Sequence, residues 1–136
     1  MKFYLIGIVS LLLISSCKKE AGPGGTSSIN GKVYARYYNK NFSILADSAY
    51  APDLDVYIIY GNEQTFGERQ RTTYDGSYKF KYLQKGSYKI YTYSKDSTGA
   101  YKYYVNQYSP DVVVVKDVKI AKNKQSVEVP DIHIVQ

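Results

Sequence analysis

The chain has no tryptophan, one cysteine, one histidine, one methionine and four prolines among its 136 residues. A single cysteine excludes a disulfide within the chain and any thiolate zinc cluster, so the fold must be held by its own core. A single histidine, His133, leaves little material for imidazole chemistry. A serine–histidine–acid triad would have to use it, and no Gly-x-Ser-x-Gly elbow occurs. No glycine-rich loop of the phosphate-cradling kind is present either. Acidic residues are in deficit, 12 against 18 Lys and Arg, for a formal charge of +6. The apolar run from Phe3 to Ile14 falls short of the about 20 residues that a comfortable membrane span needs. These absences predict no enzyme, no cofactor and no metal.

What is present begins with the leader MKFYLIGIVSLLLISSC. One early charge, Lys2, precedes the apolar run, and Ser15, Ser16 and Cys17 follow it. That is the layout of a secretory signal peptide. Its end, Ile14-Ser15-Ser16-Cys17, resembles the bacterial lipobox. The resemblance implies that the Cys17 thiol takes a diacylglycerol, that the chain is cut just before it, and that the new amine is acylated. Two or three acyl chains then hold the protein on a membrane far better than one. Loss of Lys2 with the leader lowers the net charge to +5. Lys18 to Ser28, KKEAGPGGTSS, is charged and then rich in Gly, Pro and Ser, which predicts a flexible tether. The expected organisation is a signal peptide over 1–16, a lipidated Cys17 with its tether over 17–28, and a folded domain over 29–136. Lys18 and Lys19, with no aspartate directly after Cys17, point by analogy with lipoprotein sorting to the outer membrane. Whether the domain faces the periplasm or the outside stays open. An exported protein is not expected to meet nucleic acid, so the lysines read as solvent-facing strand positions.

The folded part has almost only strand signals. Strands are expected at Ile29–Tyr38, Leu54–Gly61, Glu68–Tyr74 (polar, an edge), Ser77–Leu83, Gly86–Ser94, Ala100–Ser109, Asp111–Ile120 with a solid valine core, and Ser126–Val135. Seven or eight strands at spacings near ten residues predict an all-β sandwich. Asn41–Asp53 is the one segment that reads as a helical turn, stopped by Pro52.

Seventeen tyrosines give the chain its character. In SYKFKYL the side chains alternate across the sheet, placing Tyr78, Phe80 and Tyr82 on one face and Lys79 and Lys81 on the other. The lysines face water, so the aromatic face is expected inside. In GSYKIYTYS the expected inner face is Tyr88 and Ile90, with Thr92. Tyr91 and Tyr93 are then exposed or half covered. Asp75-Gly76 reads as a type I′ hairpin turn, and Gln84-Lys85-Gly86 as the next turn, which together predict a three-strand meander. Val127 and Val129 share one parity and Ile132 and Ile134 the other, so a bulge is expected near Pro130-Asp131.

Gly31-Lys32-Val33, then Val56-Tyr57-Ile58-Ile59, then Thr72 or Thr73, Gly76, Tyr78-Lys79-Phe80, Leu83 and Gly86-Ser87-Tyr88 together resemble the carboxypeptidase regulatory-like and collagen-adhesin B-type domains. The resemblance covers about Ile29 to Val135. It implies a transthyretin-like (prealbumin-like), Greek-key, Ig-like β-sandwich that works as a binding, stabilising or spacer module. The Thr-to-Gly loop departs from the pattern by being about a residue short. An internal isopeptide bond occurs in the adhesin-type relatives, and Lys32 is the candidate that matches. The related hydroxyisourate hydrolases need several histidines and a C-terminal Tyr-Arg-Gly-Ser. This chain ends HIVQ, and His133 alternates with Ile132 and Ile134 as an outward strand residue.

Asp47, Asp53, Asp55, Asp75 and Asp96 fall on loops, but in no calcium-loop pattern, so they read as turn formers. The remaining candidate surface is Tyr91, Tyr93, Tyr101, Tyr103, Tyr104, Asn106 and Tyr108, a stacking platform for sugar rings or a protein partner. The expectation is therefore a non-enzymatic cell-envelope lipoprotein that binds a protein or glycan. The alternative is an assembly component that engages neighbours by strand addition at an exposed edge.

Overall fold

The computed structural model describes residues 20–99 and 105–136. Nine strands run in chain order: β1 (Pro23–Tyr38), β2 (Leu45–Tyr50), β3 (Asp55–Tyr60), β4 (Glu68–Arg71), β5 (Ser77–Leu83), β6 (Gly86–Lys95), β7 (Asp111–Ile120), β8 (Ser126–Glu128) and β9 (Ile132–Val135). They form a β-sandwich of a five-stranded and a four-stranded sheet. The first sheet is organised around β1. Antiparallel β5 and parallel β8 flank its first half, and antiparallel β2 and parallel β9 its second half. The second sheet has the order β4-β3-β6-β7, antiparallel throughout.

Alternation produces the core. Ile29, Val33 and Ala35 of β1 point inward and meet Val56 and Ile58 of β3, Tyr78, Phe80 and Leu83 of β5, and Tyr88 and Ile90 of β6. Val118, Ile120, Val129, Ile132 and Ile134 complete it. Each such side chain contributes about 1.5–3 kcal/mol relative to leaving it exposed. The interruption at Pro130 brings both Val129 and Ile132 into the core, as the change of phase requires. Glu68–Arg71 is an edge strand, as its polarity predicts.

Several expectations are corrected. Tyr82 is 72 % exposed rather than buried, with φ +57°. Between Ile29↔Phe80 and Ser27↔Leu83, β5 advances one residue more than β1. This bulge rotates Tyr82 out and puts Leu83 in.

The three-strand meander does not form. Asp75-Gly76 and Gln84-Lys85 connect strands of different sheets, so β5 pairs with neither β4 nor β6. The first turn is closed locally, with Thr73 N–H donating to the Ser77 carbonyl and Gly76 N–H to the Thr73 carbonyl. Gly76 then passes beneath β1, and Val33 N–H donates to its carbonyl at 3.0 Å. At φ +76°, a Cβ there would sit 2.9 Å from the Val33 carbonyl oxygen and from Tyr50 Cβ. Buried Thr72 anchors the crossing: its hydroxyl donates to the Ala51 carbonyl at 2.6 Å and accepts the Leu54 N–H at 2.9 Å.

The segment Asn41–Asp53 holds strand β2 and no helical turn. Its backbone groups are taken by β1, from Tyr34↔Tyr50 to Tyr38↔Leu45. The valine run of β7 is not a solid core, because Val113 and Val115 point outward, 51 % and 47 % exposed. Asn106 to Ser109 form a turn rather than a strand, and residues 100–104 of that expected strand lie outside the described residues.

The domain also starts earlier than Ile29. Gly22 N–H donates to the buried Tyr88 hydroxyl, which in turn donates to the Gln84 carbonyl at 2.6 Å. Gln84 N–H donates to the Gly22 carbonyl. A Cβ on Gly25 would overlap the Leu83 carbonyl. The glycines of Gly22–Gly25 thus permit close packing on β5, where composition alone suggests slack.

Candidate functional site

With Tyr88, Ile90 and Thr92 of β6 turned inward, Tyr91 and Tyr93 must face out. Pairing places Tyr57 of β3 directly beside Tyr91. The two rings stack at 5.0 Å between centroids and 14° between planes. Phe66, from the β3–β4 loop, meets the Tyr57 ring edge-on at 4.8 Å. Tyr93 stands edge-on to both Tyr57 and Tyr91, at 5.9 and 6.0 Å. The result is a four-ring cluster on the outer face of the four-stranded sheet. Offset-stacked and edge-to-face pairs of this kind add about 0.5–1.5 kcal/mol each beyond burial. Packing against one another raises the Tyr91 pKa, through burial first and then its neighbours Tyr93 and Tyr57. Its phenol is therefore protonated at neutral pH.

Beside the cluster a cleft of about 500 Å³ opens at the end of the sandwich. Tyr57 and Tyr93 line it from the four-stranded sheet, and Tyr38 and Phe42 from the end of β1 and the loop after it. Tyr38 and Phe42 are themselves stacked, 5.6 Å apart and 20° from parallel. The loop is shaped by Asn39, whose side-chain oxygen accepts the N–H groups of Ser43 and Ile44 at 2.9 and 3.1 Å. Phe42 N–H donates to the Asn39 carbonyl, and Phe42 sits at φ +54°. A bulky non-glycine residue in the left-handed region is held there only by its surroundings. Gln107 N–H donates to the Lys40 carbonyl at 2.8 Å and ties the segment before β7 to the same loop.

The polar lining is largely neutral or already paired. Lys95 contacts Asp111 at 2.9 Å. Asp55 lies between Arg71 and Arg69, at 3.3 and 3.8 Å. These pairs are solvated, so they add little stability and mainly hold the charges in place. Asn39, Thr92, Ser94, Gln107 and Gln136 supply amides and hydroxyls. Thr92 spends its hydroxyl on the Asp55 carbonyl at 2.8 Å, and Ser94 accepts the Val135 N–H at the same distance. The cleft can thus offer aromatic faces and edges, phenol groups and amides to an uncharged polar ligand.

Of the residues expected at a binding surface, Tyr93 lines the cleft and Tyr91 backs it. Tyr108 is 84 % exposed and Asn106 accepts its N–H at 2.8 Å, building the turn beside Gln107; neither lines the cleft. Tyr101, Tyr103, Tyr104 and Cys17 lie outside the described residues. Tyr38, Phe42, Tyr57 and Phe66 were not legible as partners. Tyr57 is marked only by its parity opposite Val56 and Ile58, while Phe66 stands in a polar loop without a period. His133 is exposed on β9, beside Tyr34 on the far sheet. Lys32, the isopeptide candidate, lies 3.5 Å from Asp75 as a solvated ion pair and 4.7 Å from the centroid of the Tyr50 ring. Among the described residues no group of three or more His, Cys, Asp or Glu side chains is placed to hold a metal ion.

No protein-family model matches the chain, and no curated protein matches it. Among solved structures, it is similar to a crystal structure from Pseudomonas aeruginosa described as "a putative carbohydrate binding protein". The identity is 14 %, the match covers 85 % of this chain and 92 % of that one, and the TM-score is 0.49. An overlap of that size says nothing about ligands, which have to be argued from this chain's own residues.

Proposed function

We propose that the protein is a non-enzymatic, lipid-anchored binding module of the cell envelope whose end cleft takes a glycan. The observation that supports this is the convergence of Tyr38, Phe42, Tyr57 and Tyr93 from both sheets on one cleft with a mostly neutral polar lining. Sugars present apolar C–H faces and many hydroxyls, and aromatic rings beside amides answer both. The membrane part of the proposal rests on the lipobox-like Ile14-Ser15-Ser16-Cys17, with the outer membrane as the destination. The likeness to carboxypeptidase regulatory-like domains, a family of binding and spacer modules, belongs to the same proposal.

Titration calorimetry of the purified protein against a panel of neutral oligosaccharides tests the cleft. Saturable binding is expected, weakened roughly tenfold by Tyr57→Ala or Tyr93→Ala, since a lost stacking contact is worth about 1–3 kcal/mol. Both rings lie outside the core, so the thermal midpoint should move little. A panel without a binder, or binding indifferent to both changes, would discard the glycan reading. Intact mass and membrane fractionation test the anchor: acyl mass on Cys17 is expected, and Cys17→Ala should release the protein to the soluble fraction.

A further inference from the structure

Sheet edges are templates for pairing with another chain, and proteins normally blunt them with short length, charge, bulges or proline. Most edges of this sandwich carry such a device. Strand β4 has four residues, two of them arginine. Strands β8 and β9 have three and four residues. Strand β5 carries Lys79 and Lys81 and the bulge at Tyr82. Strand β2 has six residues, includes Asp47, and ends just before Pro52. Strand β7 differs. It has ten residues, holds four consecutive valines, contains no proline, and pairs with β6 in unbroken register from Asp111 to Ile120. Among the described residues no strand pairs with its far side.

We infer that β7 is a self-association edge, at which a second copy of this chain pairs antiparallel across a two-fold axis at Val115 to make a continuous eight-stranded sheet. A two-fold axis perpendicular to the sheet keeps its outer face outward, so opposing residues share parity and the axis must pass beside a residue. An axis at Val114 sets Asp111 against the second copy's Asp117, twice. An axis at Lys116 sets Lys116 against itself. Like charges directly opposite destabilise a sheet. An axis at Val113 pairs little more than Asp111 to Val115. Only Val115 both uses the strand from Asp111 to Lys119 and sets Asp111 against the second copy's Lys119, twice. Asp117 then faces Val113 while keeping its 2.7 Å contact with Lys89. Lys116 faces Val114 on the inner side.

The outer face argues for the same register. Tyr57 pairs with Tyr91, and Tyr91 with Val115, which places the three in one row running to the edge. With the axis at Val115, the row continues into the second copy as Val115, Tyr91 and Tyr57. The half-exposed Val115 is covered, and an apolar ladder crosses all eight strands. A foreign strand would need its own matching row and charge pattern, whereas a second copy supplies both by symmetry.

Sedimentation velocity of the purified protein over a wide concentration range tests this. A reversible monomer–dimer equilibrium is expected. Val115→Lys places two ammonium groups face to face at the axis and should weaken association roughly tenfold or more. Lys119→Asp should weaken it as well, and Asp111→Lys combined with Lys119→Asp should restore it, because the double change rebuilds both opposing pairs. All three positions are solvent-exposed, so circular dichroism should show an unchanged fold. A protein that stays monomeric throughout would overturn the inference. So would a dimer insensitive to Val115→Lys, or a Lys119→Asp defect that the double variant fails to repair.

Discussion

Tyr78 shows how a phenol behaves as a core side chain. It is 3 % exposed, packs tilted against Phe80 at 6.0 Å, and reaches over Gly31. Its hydroxyl is buried without a hydrogen-bond partner. Tyr88, equally buried, is satisfied by Gly22 and Gln84. An unmatched buried hydroxyl costs about 1–3 kcal/mol. Tyr78→Phe removes the liability and keeps the ring, so urea denaturation should show a stability gain of about 1 kcal/mol. Tyr88→Phe should instead lose a comparable amount, because it strands the Gly22 N–H and the Gln84 carbonyl and loosens the start of β1.

The bulge in β5 sets the shape of that strand. Tyr82 holds φ +57° while its ring stands in solvent. A bulky residue in the left-handed region costs about 1–2 kcal/mol, and asparagine tolerates that region better. Tyr82→Asn is expected to raise the thermal midpoint slightly, since no buried contact is lost. Moving the bulge would have the opposite effect. If β5 kept strict alternation through Leu83, Tyr82 would enter the core and Leu83 would leave it. The left-handed residue is therefore the switch that lets two successive positions, Tyr82 and Leu83, take the faces they need.

Across the whole molecule, every tyrosine whose acidity is clearly shifted is shifted the same way. Burial holds Tyr78, Tyr60, Tyr88 and Tyr91 above the ordinary phenol value of 10.0, and a hydrogen bond to Asp131 does so for the exposed Tyr50. A folded-state pKa above the unfolded one means the native state keeps protons that the unfolded chain releases. That stability is fully present below pH 10 and is lost as pH rises beyond it toward the folded-state values. Alkaline unfolding is thus expected, with the thermal midpoint flat from neutral pH to about 10 and falling steeply above. Tyr78→Phe should make the fall shallower, since it removes the most strongly raised group. A midpoint insensitive to pH above 10 would contradict the burial of these rings.

Local alternation made the strand content, the inward Tyr78, Phe80, Tyr88 and Ile90, the outward Tyr91 and Tyr93, and the break at Pro130 readable from sequence, because neighbours two residues apart share a face in any strand. Pairing partners were not readable in that way. A turn such as Asp75-Gly76 has the same local chemistry whether its strands pair or diverge into separate sheets. Only the contacts of Gly76 with β1 and of Thr72 with Ala51 and Leu54 decide between the two. The cleft is of the same kind. Tyr38, Phe42, Tyr57 and Tyr93 are scattered along the chain, and their meeting depends on which strand ends fold together. Periodicity is a property of neighbours in sequence, so the sequence by itself determined which side chains face inward. Proximity across a sandwich depends on the path of the whole backbone, so tertiary structure alone decided which residues share a site.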